Sequence, residues 1–522
     1  MKTGLTQGLR RAVQMRPHAT ALIDGDRRFT WAELSARIGR LAGALHELGV
    51  GDGVRVALLA TNSHRSFELY FAALQTGGIV TPLNHRLSER EIAAQIADAE
   101  PHVLVASLEF IAIAERLRAA CPALLHIVAM DGAESEGVFG YETLLASAAP
   151  IEDAGRGGDD IACLFYTGGT TGNAKGVMLT HANILANSVN FIAHMGIDHT
   201  AVHLHCGPLF HVAAGVRLFS VTQVAGTHVI LPRFVAADVL EAIETAGVTL
   251  ATFAPTMLRA LLDEPSFGRH DLSGLRYITY GAAPMPEMML RELLQRMPDV
   301  RFVQSYGMTE TSPIITMLGW RDHLPEAAAR GQLRAAGRAA MLAEVAIVDA
   351  EDRPVPVRTR GEIVARGPMV MAGYWRRPEA TAEALRGGWM HTGDVGFLDE
   401  DGYLFVVDRL KDMIITGGEN VYSQEVEQTL LAHPAVSECA VFGRPDPRWG
   451  EAVHAVVVPK EVPWPTERDL IEHCKRLMAG YKCPRSIELR SEPLPLSGAN
   501  KVLKVELRKA LLAREAQAEA RA

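Results

Sequence analysis

Short apolar runs alternate with stretches whose apolar residues recur on one helical face, and this alternation limits the possible folds more than any other feature. Residues 54–59 read as a buried strand, 66–74 as a helix with one apolar face, and 79–83 as a strand again. Residues 103–105 and 228–231 add further apolar runs. Parallel strands need crossover helices, so this order predicts an α/β fold with largely parallel sheets. Apolar residues make up 48% and charged residues 22% of 522 positions, which excludes general disorder. At ~100–200 residues per domain, the length suggests two to four compact units.

The pattern changes after residue 340. Residues 344–348 and 361–365 read as short strands, and 399–403 as a hairpin turn leading into a strand at 404–407. Asp399 and Asp401 partly resemble a calcium loop, but the ligand ladder and terminal Glu are missing, which favours the turn. Beyond Arg409 a small α+β pattern follows. Ser423 reads as a helix cap, residues 436–442 and 452–458 as strands, and 466–478 and the tail from Lys504 as helices. The expectation is therefore a large domain, 1–410, with parallel-rich sheets wrapped by helices plus a β-rich subdomain. A small mobile α+β domain, 411–522, completes the chain.

The 52 Lys and Arg against 61 Asp and Glu give a net charge of −9, so a whole-protein basic footprint for nucleic acid is absent. Cys121, Cys163, Cys206, Cys439, Cys474 and Cys483 form no CxxC pair and read as free thiols of a reducing compartment, the cytoplasm. No apolar core of signal-peptide length opens the chain, and no apolar run reaches the ~18 residues of a membrane span. No nucleic acid and no integral membrane segment are expected, and a homodimer stays open.

The most informative stretch is Tyr166-Thr167-Gly168-Gly169-Thr170-Thr171-Gly172-Asn173-Ala174-Lys175-Gly176, which follows an apolar strand. Glycines let backbone N–H groups turn toward an anion, threonine hydroxyls add donors, and Lys175 adds positive charge. The combination suits a polyphosphate. The spacing differs from the Walker pattern, because Lys175 stands three after Gly172 and is followed by Gly176.

This loop resembles the phosphate loop of the adenylate-forming superfamily, which includes acyl-CoA synthetases. Other stretches resemble the family's motifs in order: Phe29-Thr30-Trp31, Pro208-Leu209-Phe210-His211, Tyr280-Gly281-Ala282-Ala283-Pro284, Tyr306-Gly307-Met308-Thr309-Glu310, His391-Thr392-Gly393-Asp394, Asp408-Arg409-Leu410-Lys411-Asp412, Gly417-Gly418, and Lys501 near the end. Two departures stand out. Gly168 replaces a usual serine, which removes one hydroxyl donor, and Asn500 replaces a usual glycine before Lys501.

The resemblance implies an ATP-dependent acid–CoA ligase that forms an acyl-AMP, releases pyrophosphate, then passes the acyl group to the CoA thiol. ATP, Mg2+ and coenzyme A are implied, with no prosthetic group. It assigns Thr167, Gly168, Gly169, Thr170, Thr171, Gly172 and Lys175 to the ATP phosphates. Gly281, Ala282, Ala283, Gln304, Ser305, Tyr306 and Gly307 would form the purine surface, Asp394 and Arg409 would meet the ribose, and Thr309 the α-phosphate. Glu310 would hold magnesium. Lys501 would bridge the acyl carboxylate and the α-phosphate during adenylation, with the nearby Lys504 read as a solvated charge. Lys411 matches the hinge on which the small domain rotates. Gly417, Gly418, Trp449 and Lys482 are candidates for CoA.

His211 is expected to gate the acid site with Phe210. His203, His205, Cys206 and His211 could suggest zinc, but paired ligands at the usual spacings are missing. Candidate walls of the acid site are His205, Gly207, Phe210, His211, Phe253, Ala254, Met308 and Met317. These are mainly apolar, and none is Arg or Lys, which disfavours dicarboxylates and amino acids. Fatty acids are favoured, with aryl acids as the alternative. An acyl-AMP ligase that loads a separate carrier protein is the other functional reading.

Overall fold

A computed structural model describes residues 3–132, 137–167, 174–416, 419–460, 463–496 and 502–519. The chain folds into two units. The first comprises 1–282, 293–345 and 365–390; the second comprises 283–292, 346–364 and 391–522.

Two sheets build the first unit. One runs, edge to edge, through Arg338–Ala339, Thr316–Leu318, Arg301–Tyr306, Tyr277–Gly281, Leu250–Phe253, Val202–His205, Thr227–Ile230, Thr20–Asp24 and Arg27–Thr30. The other runs through Gly373–Tyr374, Lys175–Thr180, Ile161–Thr167, Ile79–Pro82, Arg55–Leu59, Val103–Ala106, His126–Ala129 and Val138–Gly140. Interior neighbours are parallel, and antiparallel pairs sit toward the edges. The predicted parallel-rich α/β architecture is therefore what the chain adopts. The strand at Arg55–Leu59 and the helix at His64–Gln75 fall where the apolar periodicity places them.

The core of this unit is filled by that helix and by Val212–Gln223. Phe67, Phe71, Val216 and Phe219 are fully buried, and the Phe71 and Phe219 rings lie 5.1 Å apart. Trp31, fully buried, opens a helix whose Thr30 and Glu33 form a reciprocal cap.

The second unit contains most of a four-stranded sheet, including Leu404–Arg409, and the C-terminal sheet. The 399–403 turn is a hairpin in which Asp399 Oδ1 accepts from the backbone of Asp401 and Tyr403 at 3.0 and 2.8 Å. The C-terminal sheet is built on the long hairpin Val436–Asp446 and Gly450–Pro459, with Ser486–Leu489 parallel to the latter. Helices Ser423–Leu431 and Glu467–Leu477 bury Val426, Leu430, Leu470 and Cys474 against it.

Ser423 does not cap its helix. The N-cap position is Tyr422, and the Ser423 hydroxyl instead donates to Asp408 Oδ1 at 3.1 Å. All six cysteines are free and buried. Among the described residues no helix is long and apolar enough to cross a membrane.

Candidate active site

The glycine-rich loop is closed at its base by a hairpin. Thr167 pairs with Lys175 across antiparallel strands, and its hydroxyl donates to the Lys175 carbonyl at 3.4 Å. Gly168, Gly169, Thr170, Thr171 and Gly172 lie outside the described residues. From the hairpin, Lys175 Nζ stands 4.8 Å from the centroid of the Tyr374 ring. The Tyr374 hydroxyl in turn donates to Glu310 Oε1 at 2.8 Å. Burial, and then the Glu310 charge, hold the Tyr374 phenol well above its usual range, so it keeps its proton and stays a donor.

Glu310 is only 5% exposed and sits in a short turn, Thr309–Thr311, whose Thr311 hydroxyl accepts from the Met308 backbone at 3.1 Å. A cation, a neutral phenol and a carboxylate therefore stand in sequence from the hairpin at Lys175. Tyr374 belongs to no motif read in the sequence, because 64 residues separate it from Glu310. No local pattern links the two.

The purine candidates lie at the carboxyl ends of parallel strands, where α/β sheets open to ligands. Gly281 pairs with Ser305, and a Cβ on Gly281 would fall 2.3 Å from the Ser305 carbonyl oxygen. A Cβ on Gly307 would fall 1.9 Å from that of Pro313. Both glycines are thus required by close backbone approach. Gln304, Ser305 and Tyr306 close the strand leading to Gly307. Ala282 carries a φ of +65°, a costly conformation for a residue with a Cβ. Ala283 begins a segment of the second unit.

Among the candidate acid-site residues, the turn from Gly207 to His211 is clamped. Asn62 Nδ2 donates to the Gly207 carbonyl at 2.9 Å, and its Oδ1 accepts from the Leu209 backbone at 3.0 Å. The Tyr70 hydroxyl donates to the Leu209 carbonyl at 2.6 Å. His211 is the N-cap residue of the Val212–Gln223 helix, and its ring lies 4.8 Å from that of Phe210. His205, Phe210, Phe253 and Met317 are buried, and Ala254 and Met308 are partly so. Neither Asn62 nor Tyr70 belongs to a motif read in the sequence.

His205 Nε2 lies 3.0 Å from His228 Nδ1. Burial, then the Arg217 charge, push His205 down to about 3, and burial pushes His203 and His228 well below their usual range. All three are neutral imidazoles.

In the second unit, Asp394 and Arg409 face each other across a hairpin, with Arg409 Nε 3.7 Å from Asp394 Oδ1. Glu362 braces the bend before Asp394: it accepts from the Gly393 backbone at 3.1 Å and meets His391 Nδ1 at 2.9 Å. Lys411 lies in the short turn Leu410–Asp412. Gly417, Gly418 and Lys501 are outside the described residues. Trp449 is partly buried, with the Arg448 and Arg485 guanidinium carbons 4.7 and 5.4 Å from its ring. Lys482 Nζ donates to Glu425 Oε1 at 2.6 Å.

Lys504 is not a solvated charge. Its ammonium meets Glu427 Oε1 at 2.7 Å and the Ser423 hydroxyl at 2.6 Å, with little of either charged side chain exposed. Burial works against the charge. The Glu427 and Asp408 carboxylates outweigh it and hold Lys504 above its usual range. No local pattern announces this network, because its members come from residues 408, 423, 427 and 504.

Residues 9–375 match the family model for AMP-binding enzymes, and residues 425–501 match that for the AMP-binding enzyme C-terminal domain. A feruloyl-CoA synthase of an Amycolatopsis species is 41% identical over 96% of this chain and 97% of its own length. The long-chain-fatty-acid–CoA ligase FadD13 of Mycobacterium tuberculosis is 34% identical over 96% and 97%. The o-succinylbenzoate CoA synthetase MenE of Bacillus subtilis, solved with its acyl-adenylate intermediate, superposes with a TM-score of 0.86 at 31% identity, covering 97% of this chain and 98% of that one.

Proposed function

This chain belongs to the AMP-binding enzyme family, and on that premise we propose how its own side chains carry out the reaction. The enzyme is an AMP-forming acid–CoA ligase. A carboxylate must attack the α-phosphate of ATP although both are anions, so charge must be screened and the groups aligned in line. The arrangement of Lys175, Tyr374 and Glu310 is the observation that carries this assignment.

Lys175, with Thr167 and the loop to Gly172, binds the β- and γ-phosphates. Glu310 presents a buried carboxylate oriented by the Tyr374 hydroxyl, a hard oxygen ligand of the kind magnesium takes together with substrate phosphates. Magnesium, when bound, supplies charge neutralisation to the departing pyrophosphate. Thr309 donates to the α-phosphate, Asp394 accepts from the ribose hydroxyls and Arg409 flanks them. Gly281 to Ala283 and Gln304 to Gly307 receive the purine. Lys501 bridges the acid carboxylate and the α-phosphate.

For the second half-reaction the small domain, 411–522, turns at Lys411. Gly417, Gly418, Trp449 and Lys482 then meet CoA, with Lys482 exchanging its Glu425 partner for phosphate. Phe210 and His211 gate the acid. The six free, buried thiols support a cytoplasmic location.

Acid-dependent ATP–pyrophosphate exchange followed by CoA-dependent AMP release tests this reading. Release of AMP with formation of an acyl-CoA is the expected result. Acyl transfer to a carrier protein in place of CoA, or formation of ADP, would overturn it.

A further inference from the structure

Two segments bonded to Gly176, the neighbour of Lys175, converge on one carboxylate, Asp98. It belongs to no motif read in the sequence. Asp98 is the penultimate residue of the helix Glu89–Ala99, and its side chain is 15% exposed. A negative charge in the last turn faces the negative end of the helix dipole, and no basic residue in that turn offsets it. Partners from other elements account for its place. Asp98 Oδ2 accepts from the Tyr166 hydroxyl at 2.8 Å, and Oδ1 from Arg377 Nη2 at 2.9 Å. Its backbone carbonyl accepts from the Trp375 indole at 3.1 Å.

These partners flank the strand that begins with Lys175. Strand Lys175–Thr180 lies between Ile161–Thr167 and Gly373–Tyr374 in its sheet. On one side, Tyr166 pairs with Gly176, next to the pair of Thr167 and Lys175. A Cβ on Gly176 would fall 3.2 Å from Tyr166 Cζ, so the Tyr166 ring lies against that glycine. On the other side, the Gly176 carbonyl accepts from the Trp375 backbone at 2.7 Å, and Tyr374 pairs with Val177. Asp98 thus ties together the two strands that enclose the Lys175 strand. One of them carries Tyr374, whose hydroxyl orients Glu310. Burial, and then the bond to Asp98, hold the Tyr166 phenol above its usual range, so it stays a donor.

We propose that Asp98 is a positioning residue for the triphosphate of ATP. By gripping both flanking strands it fixes where Lys175 stands relative to Tyr374 and, through Tyr374, to the Glu310 carboxylate assigned to magnesium. This rests on the ligase reading and deepens it with a residue that itself touches no substrate. Loss of the carboxylate frees Tyr166 and Arg377, and the cation and the carboxylate no longer meet the β- and γ-phosphates together.

The test is calorimetric titration of the full chain with MgATP and with AMP, which lacks those two phosphates. In Asp98→Ala the MgATP dissociation constant should rise about tenfold while that for AMP stays within about twofold of wild type, the lower end of the loss when a partner supporting a metal ligand is removed. Tyr166→Phe keeps the ring against Gly176 and should weaken MgATP binding about threefold, as for one neutral donor lost. The double variant should bind MgATP no more weakly than Asp98→Ala, because both substitutions break one contact. Asp98→Asn keeps an oxygen for the phenol and should lie between Asp98→Ala and wild type. Tyr166→Phe and Asp98→Asn read the same contact if Asp98→Ala does not fold.

Unchanged MgATP binding in these variants would overturn the proposal. So would equal weakening of MgATP and AMP, the mark of general disruption, or additive losses in the double variant. Each of these leaves the ligase reading standing. A wild-type chain that binds neither nucleotide overturns the ligase reading and this inference with it.

Discussion

Replacing Tyr374 by Phe removes one oxygen atom and leaves the ring. The Lys175 ammonium keeps its contact 4.8 Å from the ring centroid, while Glu310 loses the donor 2.8 Å from its Oε1. A hydrogen bond to a charged group is worth about 1.5–3 kcal/mol. At 1.36 kcal/mol per factor of ten, that corresponds to roughly 10- to 150-fold. Partners that orient a metal ligand give a similar range, about 10- to 100-fold.

The expected outcome for Tyr374→Phe is therefore a loss of roughly 10- to 100-fold in kcat/KM for acid-dependent pyrophosphate exchange, with a raised half-saturating magnesium concentration. Titrating magnesium at saturating acid and ATP measures both. Because burial and Glu310 hold the phenol protonated well above its usual range, the loss should be constant from about pH 6 to 9. Unchanged exchange with unchanged magnesium dependence would refute the assigned role of Tyr374. So would a loss that disappears within that pH range.

Lys504→Met leaves the Glu427 and Asp408 carboxylates buried without their cation, and should cost about 3–5 kcal/mol in denaturant unfolding. Because the folded chain raises the Lys504 pKa, the stability it contributes is fully present below about pH 10.4 and is lost as pH rises through the raised value. His203, His205 and His228 behave in the opposite sense. Below about pH 6.5 the unfolded chain binds protons that the folded chain refuses, so stability falls with pH, approaching about 1.4 kcal/mol per histidine per pH unit. Urea midpoints at about pH 7.5 and 5 measure the loss, and equal midpoints would contradict it. Lys501→Ala should abolish acyl-AMP formation and spare thioester formation from supplied acyl-AMP, whereas Lys411→Pro should do the reverse; half-reaction assays separate them.

The strands and helices of the large unit were legible because each is local. The run at Arg55–Leu59 and the helix at His64–Gln75 carry their own periodicity. The glycine-rich stretch stands out in the sequence for the same reason, since its glycines, hydroxyls and lysine are contiguous. Contacts between distant segments could not be read from local pattern. Tyr374 reaches Glu310 across 64 residues, and Lys504 closes on Ser423 across 81. Ser423 shows how a local rule loses to a distant contact: its hydroxyl fits a helix cap, but the Asp408 carboxylate takes it instead.

In the proposed reaction an acid carboxylate oxygen attacks the α-phosphate of ATP before CoA arrives. Turnover with the acid labelled by 18O in its carboxylate tests this directly. One 18O atom is expected in the AMP released for each acyl-CoA formed. Unlabelled AMP, or label appearing in inorganic phosphate, would contradict it.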